Sequence, residues 1–360
     1  MRFKVTVLPG DGIGPEVAGE GIKVLERAGE RFGYNFNLHY GLIGGAAIAE
    51  TGSALPPETL HMCQECDVIL LGAVGDPRFD DPKREIHPED GLLGLRKGLS
   101  LFANLRPVNI FPSLIDSSTL KPEVIKDVDL IIVRELTGGL YFGQPKRRWQ
   151  EEGKRKAVDT LFYSEEEIRR ILKVGFEIAR GRRKKLSSVD KANVLQSSRL
   201  WREMAMEVAM EYPDVELEHI LVDACAMRLI RRPSEFDVIV TENMFGDIIT
   251  DEASMLSSSL GMLPSASISG LPQGRTLGMY EPVHGSSPRR AGKDMANPIA
   301  TILSVALMLR YSLGLKEEAL AVERAVQSTL EEGYRTYDIM GEGKTKVGTK
   351  EMGNLIAQMI

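Results

Sequence analysis

The chain has 360 residues, room for about two domains at ~150 residues each, and its 43% hydrophobic and 27% charged content sets aside disordered and fibrous classes. Lys+Arg 45 against Asp+Glu 51 leaves a net charge of −6, a poor field for a phosphate backbone, so nucleic acid is not an expected partner. Three cysteines do not make a disulfide framework and no apolar core precedes Asp11, so a reducing, cytoplasmic setting without a secretory leader is expected.

The elements alternate between strand and helix, which predicts an α/β fold. Val5 to Leu8 reads as a first strand. Pro15 suits a first helical turn, and Val17, Gly21, Val24, Leu25 and Ala28 follow with helical spacing. The glycine-rich segment between them, residues 9–17, fails as a dinucleotide fingerprint because Pro15 stands where the third glycine belongs. Cys63 and Cys66 read as half-buried helix thiols. Val68 to Ala73, Leu130 to Val133 and Val238 to Val240 are short apolar runs, predicted as strands buried on both faces. Residues 143–159 are polar and predict a projecting loop or hairpin arm. Ser164 and Glu167 form a capping box opening a helix through Ile168, Ile171, Leu172 and Gly175. The basic run Arg180, Arg182, Arg183, Lys184 and Lys185 is expected to be a solvated helix end. Helices are predicted over 198–210, 299–313, 316–330 and 350–359. The apolar stretch from Ile299 is too short for a membrane span and reads as a buried helix. Gly343, Lys344 and Thr345 read as a surface turn.

Three constellations carry chemistry. Arg96, Arg106 and Arg134 could clamp a di- or tricarboxylate, since each guanidinium donates two parallel hydrogen bonds; singly, each could be a surface ion pair. Asp247 and Asp251 lie four apart, on one face of a predicted helix. Such like charges repel unless a cation lies between them, or unless the face is simply solvated. Asp223, after the expected strand Ile220 to Val222, could add a third oxygen ligand. Oxygen donors of this kind suit Mg²⁺ or Mn²⁺ better than zinc. Tyr141 and Lys191 are candidate proton carriers; both ordinarily titrate near ~10, and nearby cations would lower both.

These residues stand in PGDGIGPEV, LRKGLSLFANLRPV, VRELTGGLYFG, SVDKANVL, ENMFGDIITDEASML with LPSAS, and EPVHGSSP…AGK…ANP. In that order, over essentially the whole chain, the motifs resemble those of the β-decarboxylating dehydrogenases, the family of isopropylmalate, isocitrate and homoisocitrate dehydrogenases. The resemblance implies a dimer of two open, non-Rossmann α/β domains. Residues 1–101 with 256–360 would bind the cofactor, and 102–255 would hold substrate, metal and the dimer contact. It implies that Arg96, Arg106 and Arg134 hold the substrate carboxylates. Asp247 and Asp251 would bind the divalent metal with Asp223 of the other subunit, which also contacts substrate. Lys191, also from the other subunit, would assist removal of the hydroxyl proton, and Tyr141 would protonate the enol.

Leu92 and Leu93 are apolar where an isocitrate enzyme would offer polar groups, so the resemblance favours oxidative decarboxylation of 3-isopropylmalate, a step of leucine biosynthesis. Val194 of the other subunit could extend that wall. Isocitrate, homoisocitrate or tartrate is the alternative substrate, and an Mg²⁺-dependent hydrolase or phosphotransferase the alternative class. Ile13, Glu89, His284, Gly285, Ser286, Arg289 and Asn297 would line the dinucleotide. NAD-dependent relatives carry an aspartate where this chain has Arg289, followed by Arg290; two guanidinium groups there would attract a 2′-phosphate, so NADP is expected to be accepted beside the family's usual NAD.

Overall fold

In the computed structural model, which describes residues 1–118, 120–272 and 275–360, the short apolar runs become strands of one large sheet. The N-terminal part runs β1 (Arg2–Gly10), α1 (Gly14–Phe32), β2 (Asn35–Tyr40), α2 (Gly44–Thr51), α3 (Pro57–Gln64), β3 (Val68–Ala73) and α4 (Pro88–Gly98). The middle holds β4 (Ala103–Asn109), α5 (Pro122–Ile125), β5 (Asp129–Glu135), a hairpin of β6 (Arg147–Glu151) and β7 (Lys154–Val158), then α6 (Glu165–Arg180) and β8 (Lys185–Asp190). It continues with α7 (Gln196–Ala209), β9 (Glu216–Leu221), α8 (Val222–Arg231), β10 (Val238–Thr241) and α9 (Asn243–Ser254). The chain closes through β11 (Pro264–Ile268), β12 (Gly278–Pro282), α10 (Ile299–Tyr311), α11 (Lys316–Glu331), β13 (Tyr334–Arg335), β14 (Thr345–Lys346) and α12 (Thr349–Met359).

The main sheet has ten strands in the order β2-β1-β3-β12-β11-β4-β5-β10-β8-β9. Its outer parts are parallel, and parallel neighbours need crossover helices that cover both faces. That is why every residue of β3 and β10 is buried. The middle is different: β12–β11, β11–β4 and β4–β5 are antiparallel. Strands from the two chain ends meet those from the middle segment at the β4–β11 pair, where Ala266 lies opposite Leu105.

Local chemistry explains the helices. In α1, Val17, Gly21, Val24, Leu25 and Ala28 bury one face, and Gly33 ends it in a left-handed conformation while donating to the Gly29 carbonyl. A fully buried leucine such as Leu25 contributes about 2–5 kcal/mol relative to alanine. Helix α10 is buried on all sides from Ile299 to Leu309. The Ser164–Glu167 capping box forms, with Ser164 Oγ accepting from the Glu167 amide at 3.3 Å and Glu167 Oε2 from the Ser164 amide at 2.9 Å. Among the described residues no helix is long and apolar enough to cross a membrane.

Three local expectations need correcting. Cys66 lies beyond the end of α3 and Cys63 is fully buried; burial pushes both thiols up, Cys63 to about 12, so the pair is inert packing. Asp223 sits in the first turn of α8 rather than at a strand end, because β9 stops at Leu221. The basic run is an anchored network, not a solvated end. Arg182 binds Asp237 and Asp129 at 2.8 Å each, Arg183 binds the Asp129 and Phe236 carbonyls, and Arg180 binds Asp214 at 3.0 Å. It ties the C-terminus of α6 to the starts of β5 and β10, satisfying carbonyls that those strand ends leave open.

Candidate active site

Side chains alternate across a strand, so β4 turns Asn104 and Arg106 to one face and Leu105 to the other. Antiparallel register sets Asn104 opposite Arg134 on β5. From β11, Ser265 and Ser267 accept hydrogen bonds from Asn104 Nδ2 at 2.8 and 3.3 Å, which marks them as facing the same side. Helix α4 brings Arg96 over this face, and α9 brings Asp247 and Thr250.

These residues surround a cleft of about 360 Å³ lined by Glu89, Leu92, Leu93, Arg96, Arg106, Arg134, Tyr141, Asn243, Asp247, Ser265, Glu281, His284 and Gly285. Arg134 donates from Nε and a terminal nitrogen to Asn243 Oδ1 at 3.1 and 2.8 Å, and from its other terminal nitrogen to Asp247 Oδ1 at 2.5 Å. Tyr141 Oη donates to Asp247 Oδ2 at 2.8 Å, and the Arg134 guanidinium lies 5.9 Å from the Tyr141 ring centre. Arg106 donates to Thr250 Oγ1 at 2.8 Å and to Asn104 Oδ1 at 3.0 Å, and its head is 3.6 Å from Asp251. Arg96 pairs with Glu281 at 2.8 Å, while its buried Nε has no partner among the described residues.

The three arginines crowd one another. Burial first, then Arg134 and Arg96, lowers Arg106 to about 10; Arg134 is also held down by burial, with Asp247 working against it. Three guanidinium groups converge there, so the cleft carries concentrated positive charge that an anion with two carboxylates would relieve. Tyr141 runs against expectation: partial burial and then the hydrogen bond to Asp247 push its phenol up to about 12, outweighing the nearby Arg134.

Asp247 and Asp251 rise from successive turns of α9, Asp247 between Arg134 and Tyr141 and Asp251 open to solvent at 71% side-chain exposure. Two carboxylates on one helix face with free space beyond them fit a hard divalent cation that keeps water or substrate oxygens. Among the described residues no three His, Cys, Asp or Glu side chains gather as a metal-holding group, so Asp223 does not join Asp247 and Asp251 within one chain. Asp223 is exposed and paired with Lys191, the first residue beyond β8.

A second cleft of about 320 Å³ adjoins the first through His284 and Gly285, and is lined by Ile13, Ser259, Arg290, Asn297, Tyr337 and Asp338 among others. Ile13 is placed there because the glycine turn lies flat against the 284–287 loop. Its amide donates to the Ser286 carbonyl at 2.8 Å, and a Cβ on Gly12 (φ +60°) would sit 2.0 Å from that oxygen. Ser286 itself is buried and acts through its backbone. His284 donates from Nδ1 to the Gly285 carbonyl at 2.9 Å, burial holds it neutral, and its buried Nε2 has no partner among the described residues. An orphaned acceptor between two joined clefts fits a dinucleotide lying across both. Arg289 does not line this cleft; Arg290 does, 4.7 Å over the Tyr337 ring.

Asn243, Thr250, Glu281 and Asp338 were not singled out by sequence reasoning. Asn243 and Thr250 sit within the acid motif, and Glu281 opens the EPVHGSSP segment. Asp338 is fixed by Ser259, Asn297 and Thr336 at 2.5 to 3.0 Å, a convergence that only folding creates.

Fold and site together define an enzyme that handles a small multiply charged anion beside a nucleotide. The family model described as isocitrate/isopropylmalate dehydrogenase matches residues 4–356. A 3-isopropylmalate dehydrogenase of Dehalococcoides mccartyi is 62% identical over 363 residues, covering 100% of both chains. One from Geobacillus kaustophilus is 60% identical, covering 98% of this chain and 94% of its own. The crystal structure of isocitrate dehydrogenase from Methylococcus capsulatus superposes with a TM-score of 0.86 at 33% identity, covering 99% of each chain. The chain belongs to the isocitrate/isopropylmalate dehydrogenase family, which removes the hydrolase and phosphotransferase alternative.

Proposed function

We propose that the protein oxidatively decarboxylates 3-isopropylmalate to 4-methyl-2-oxopentanoate, passing a hydride to a nicotinamide dinucleotide, as a step of leucine biosynthesis. The observation that carries this reading is the joining, in one cleft, of three arginines, the Tyr141–Asp247 pair and the apolar wall of Leu92 and Leu93. Arg96, Arg106 and Arg134 bind and orient the two substrate carboxylates. Leu92 and Leu93 take the isopropyl group and leave a third carboxylate unpaired, a large penalty against isocitrate. Asp247 and Asp251 would hold a divalent cation, which would supply Lewis-acid polarisation of substrate oxygens. The nicotinamide supplies the hydride acceptor. Tyr141 holds a proton at Oη and delivers it to the carbon that loses CO₂, and Glu89 lies beside the nicotinamide ribose.

We set the boundary between residues 1–101 with 256–360 and residues 102–255 at the β4–β11 seam, where the two groups of strands meet in antiparallel register. We assign the dimer contact to α8 and α9, whose outer faces expose Met227, Ile230 and Ile248, with Met255 just beyond the end of α9, an apolar patch beside Asp223 and Asp251. Association there brings Lys191 and Asp223 of one subunit to Asp247 and Asp251 of the other. Randomly reassociated Lys191→Ala and Asp247→Asn dimers, each inactive alone, are then expected to recover turnover at about a quarter of the sites. No recovery would place each site within one chain.

The founding test is initial-rate reduction of NAD and NADP in parallel with 3-isopropylmalate and Mg²⁺, with EDTA and with isocitrate and tartrate as controls. Metal-dependent turnover on 3-isopropylmalate alone is expected. NADP is expected to be used, with Arg290→Leu lowering its kcat/KM about tenfold against NAD and Arg289→Asp lowering it less, because Arg290 lines the adenosine cleft. Improved NADP use in either variant removes the phosphate role.

A further inference from the structure

Tyr163 lies just before α6, is 6% exposed, and appears in none of the motifs above. Its hydroxyl accepts from the Asn243 amide at 3.0 Å and stands 3.4 Å from both Glu135 Oε2 and Glu242 Oε2. The two carboxylates serve different segments. Glu135 ends β5 and takes the Thr137 and Gly138 amides at 3.0 and 2.7 Å, closing the turn that leads to Tyr141. Glu242 takes the Met244 and Phe245 amides at 3.1 and 2.8 Å, capping the start of α9 that carries Asn243 and Asp247. The Tyr141 turn rests on the phenol itself: a Cβ on Gly138 would come within 2.7 Å of the Tyr163 ring, and one on Gly139 (φ +76°) within 2.5 Å of its hydroxyl. Asn243 completes the junction, donating from Nδ2 to the Gly138 carbonyl at 3.1 Å while accepting Arg134.

We infer that Tyr163 is a positioning residue: its hydroxyl locks the Tyr141 turn, the end of β5 and the first turn of α9 into one register, so that Arg134 and Tyr141 both reach Asp247. It lines neither the arginine cleft nor the cleft beside it. Burial raises both glutamates, and the phenol is well above its ordinary range, so its proton stays in place. The Trp201 ring, edge-on at 5.9 Å, holds the phenyl group independently of the hydroxyl.

The catalytic consequence rests on the proposed reaction; the structural one does not, and the test separates them. Tyr163→Phe keeps the ring and removes the hydroxyl. Hydrogen exchange in the full-length protein is expected to quicken in peptides covering 138–142 and 243–247, leaving α10 and α11 unchanged. On 3-isopropylmalate, kcat is expected to fall roughly 10- to 100-fold with KM changing less than about threefold. Tyr163→Phe combined with Tyr141→Phe is expected to be within about twofold of Tyr141→Phe alone, since one acts through the other. Unchanged exchange at the junction, exchange quickened throughout the chain, or multiplicative rate losses would each overturn the positioning role. Localised exchange with a wild-type protein silent on 3-isopropylmalate would uphold it and overturn the reaction. Glu135→Gln perturbs the same junction without disturbing the ring, and gives the same local pattern should Tyr163→Phe not fold.

Discussion

Asp247→Asn is expected to lower turnover by roughly 10²–10³ at fixed Mg²⁺ and to move the metal activation midpoint to higher concentration. The change keeps side-chain volume, so the loss reports chemistry. Asp247 now accepts from Arg134 on one oxygen and from Tyr141 on the other. An asparagine can accept on one side only. Its oxygen must face Arg134, because an amide nitrogen there would oppose a guanidinium, and its nitrogen then donates to Tyr141 Oη. The phenol proton is thereby turned away from the cleft partner it had, and a cation bound there would lose a full negative charge. Arg134 keeps Asn243 as acceptor, so folding is expected to survive. Titrating Mn²⁺ and Mg²⁺ against initial rate, with a thermal melt as control, checks the prediction. An unchanged activation midpoint would remove Asp247 from the metal site.

Residues whose role is set by local chemistry were legible in the sequence. The buried strands, the first helix and the Ser164 capping box follow from period and capping alone. Arg106 and Arg134 could be nominated because arginine at or beside apolar runs is costly without a purpose. Contacts between distant segments were not legible. Glu281 meets Arg96 across 185 residues of sequence, and Tyr163 meets Asn243 across 80. Nothing in one dimension distinguishes such partners from surface acids or core aromatics. The same reason explains why Arg290 rather than its neighbour lines the second cleft: the short turn at 288–290 decides which way each points. It also explains the basic run, whose acceptors at the start of β5 and just before β10 lie about 50 residues away on either side.

Tyr141→Phe is expected to cut kcat by roughly 10²–10⁴ while leaving the KM for 3-isopropylmalate and the metal activation midpoint nearly unchanged. The ring remains for Arg134 to lie against, and only Oη is lost. A raised acid pKa favours the protonated form, so with its phenol pushed to about 12 Tyr141 keeps its proton across the neutral range and serves as a donor. Loss of that donor therefore cannot cause an alkaline fall in kcat near neutrality. Any such limb belongs to another group and should persist in the phenylalanine variant. Removing Oη leaves solvent to protonate the decarboxylated carbon. In heavy water the wild-type protein is then expected to place deuterium on one face of that carbon, and the variant on both. Stereospecific labelling that survives Tyr141→Phe, with kcat unchanged, would assign proton delivery to a different side chain.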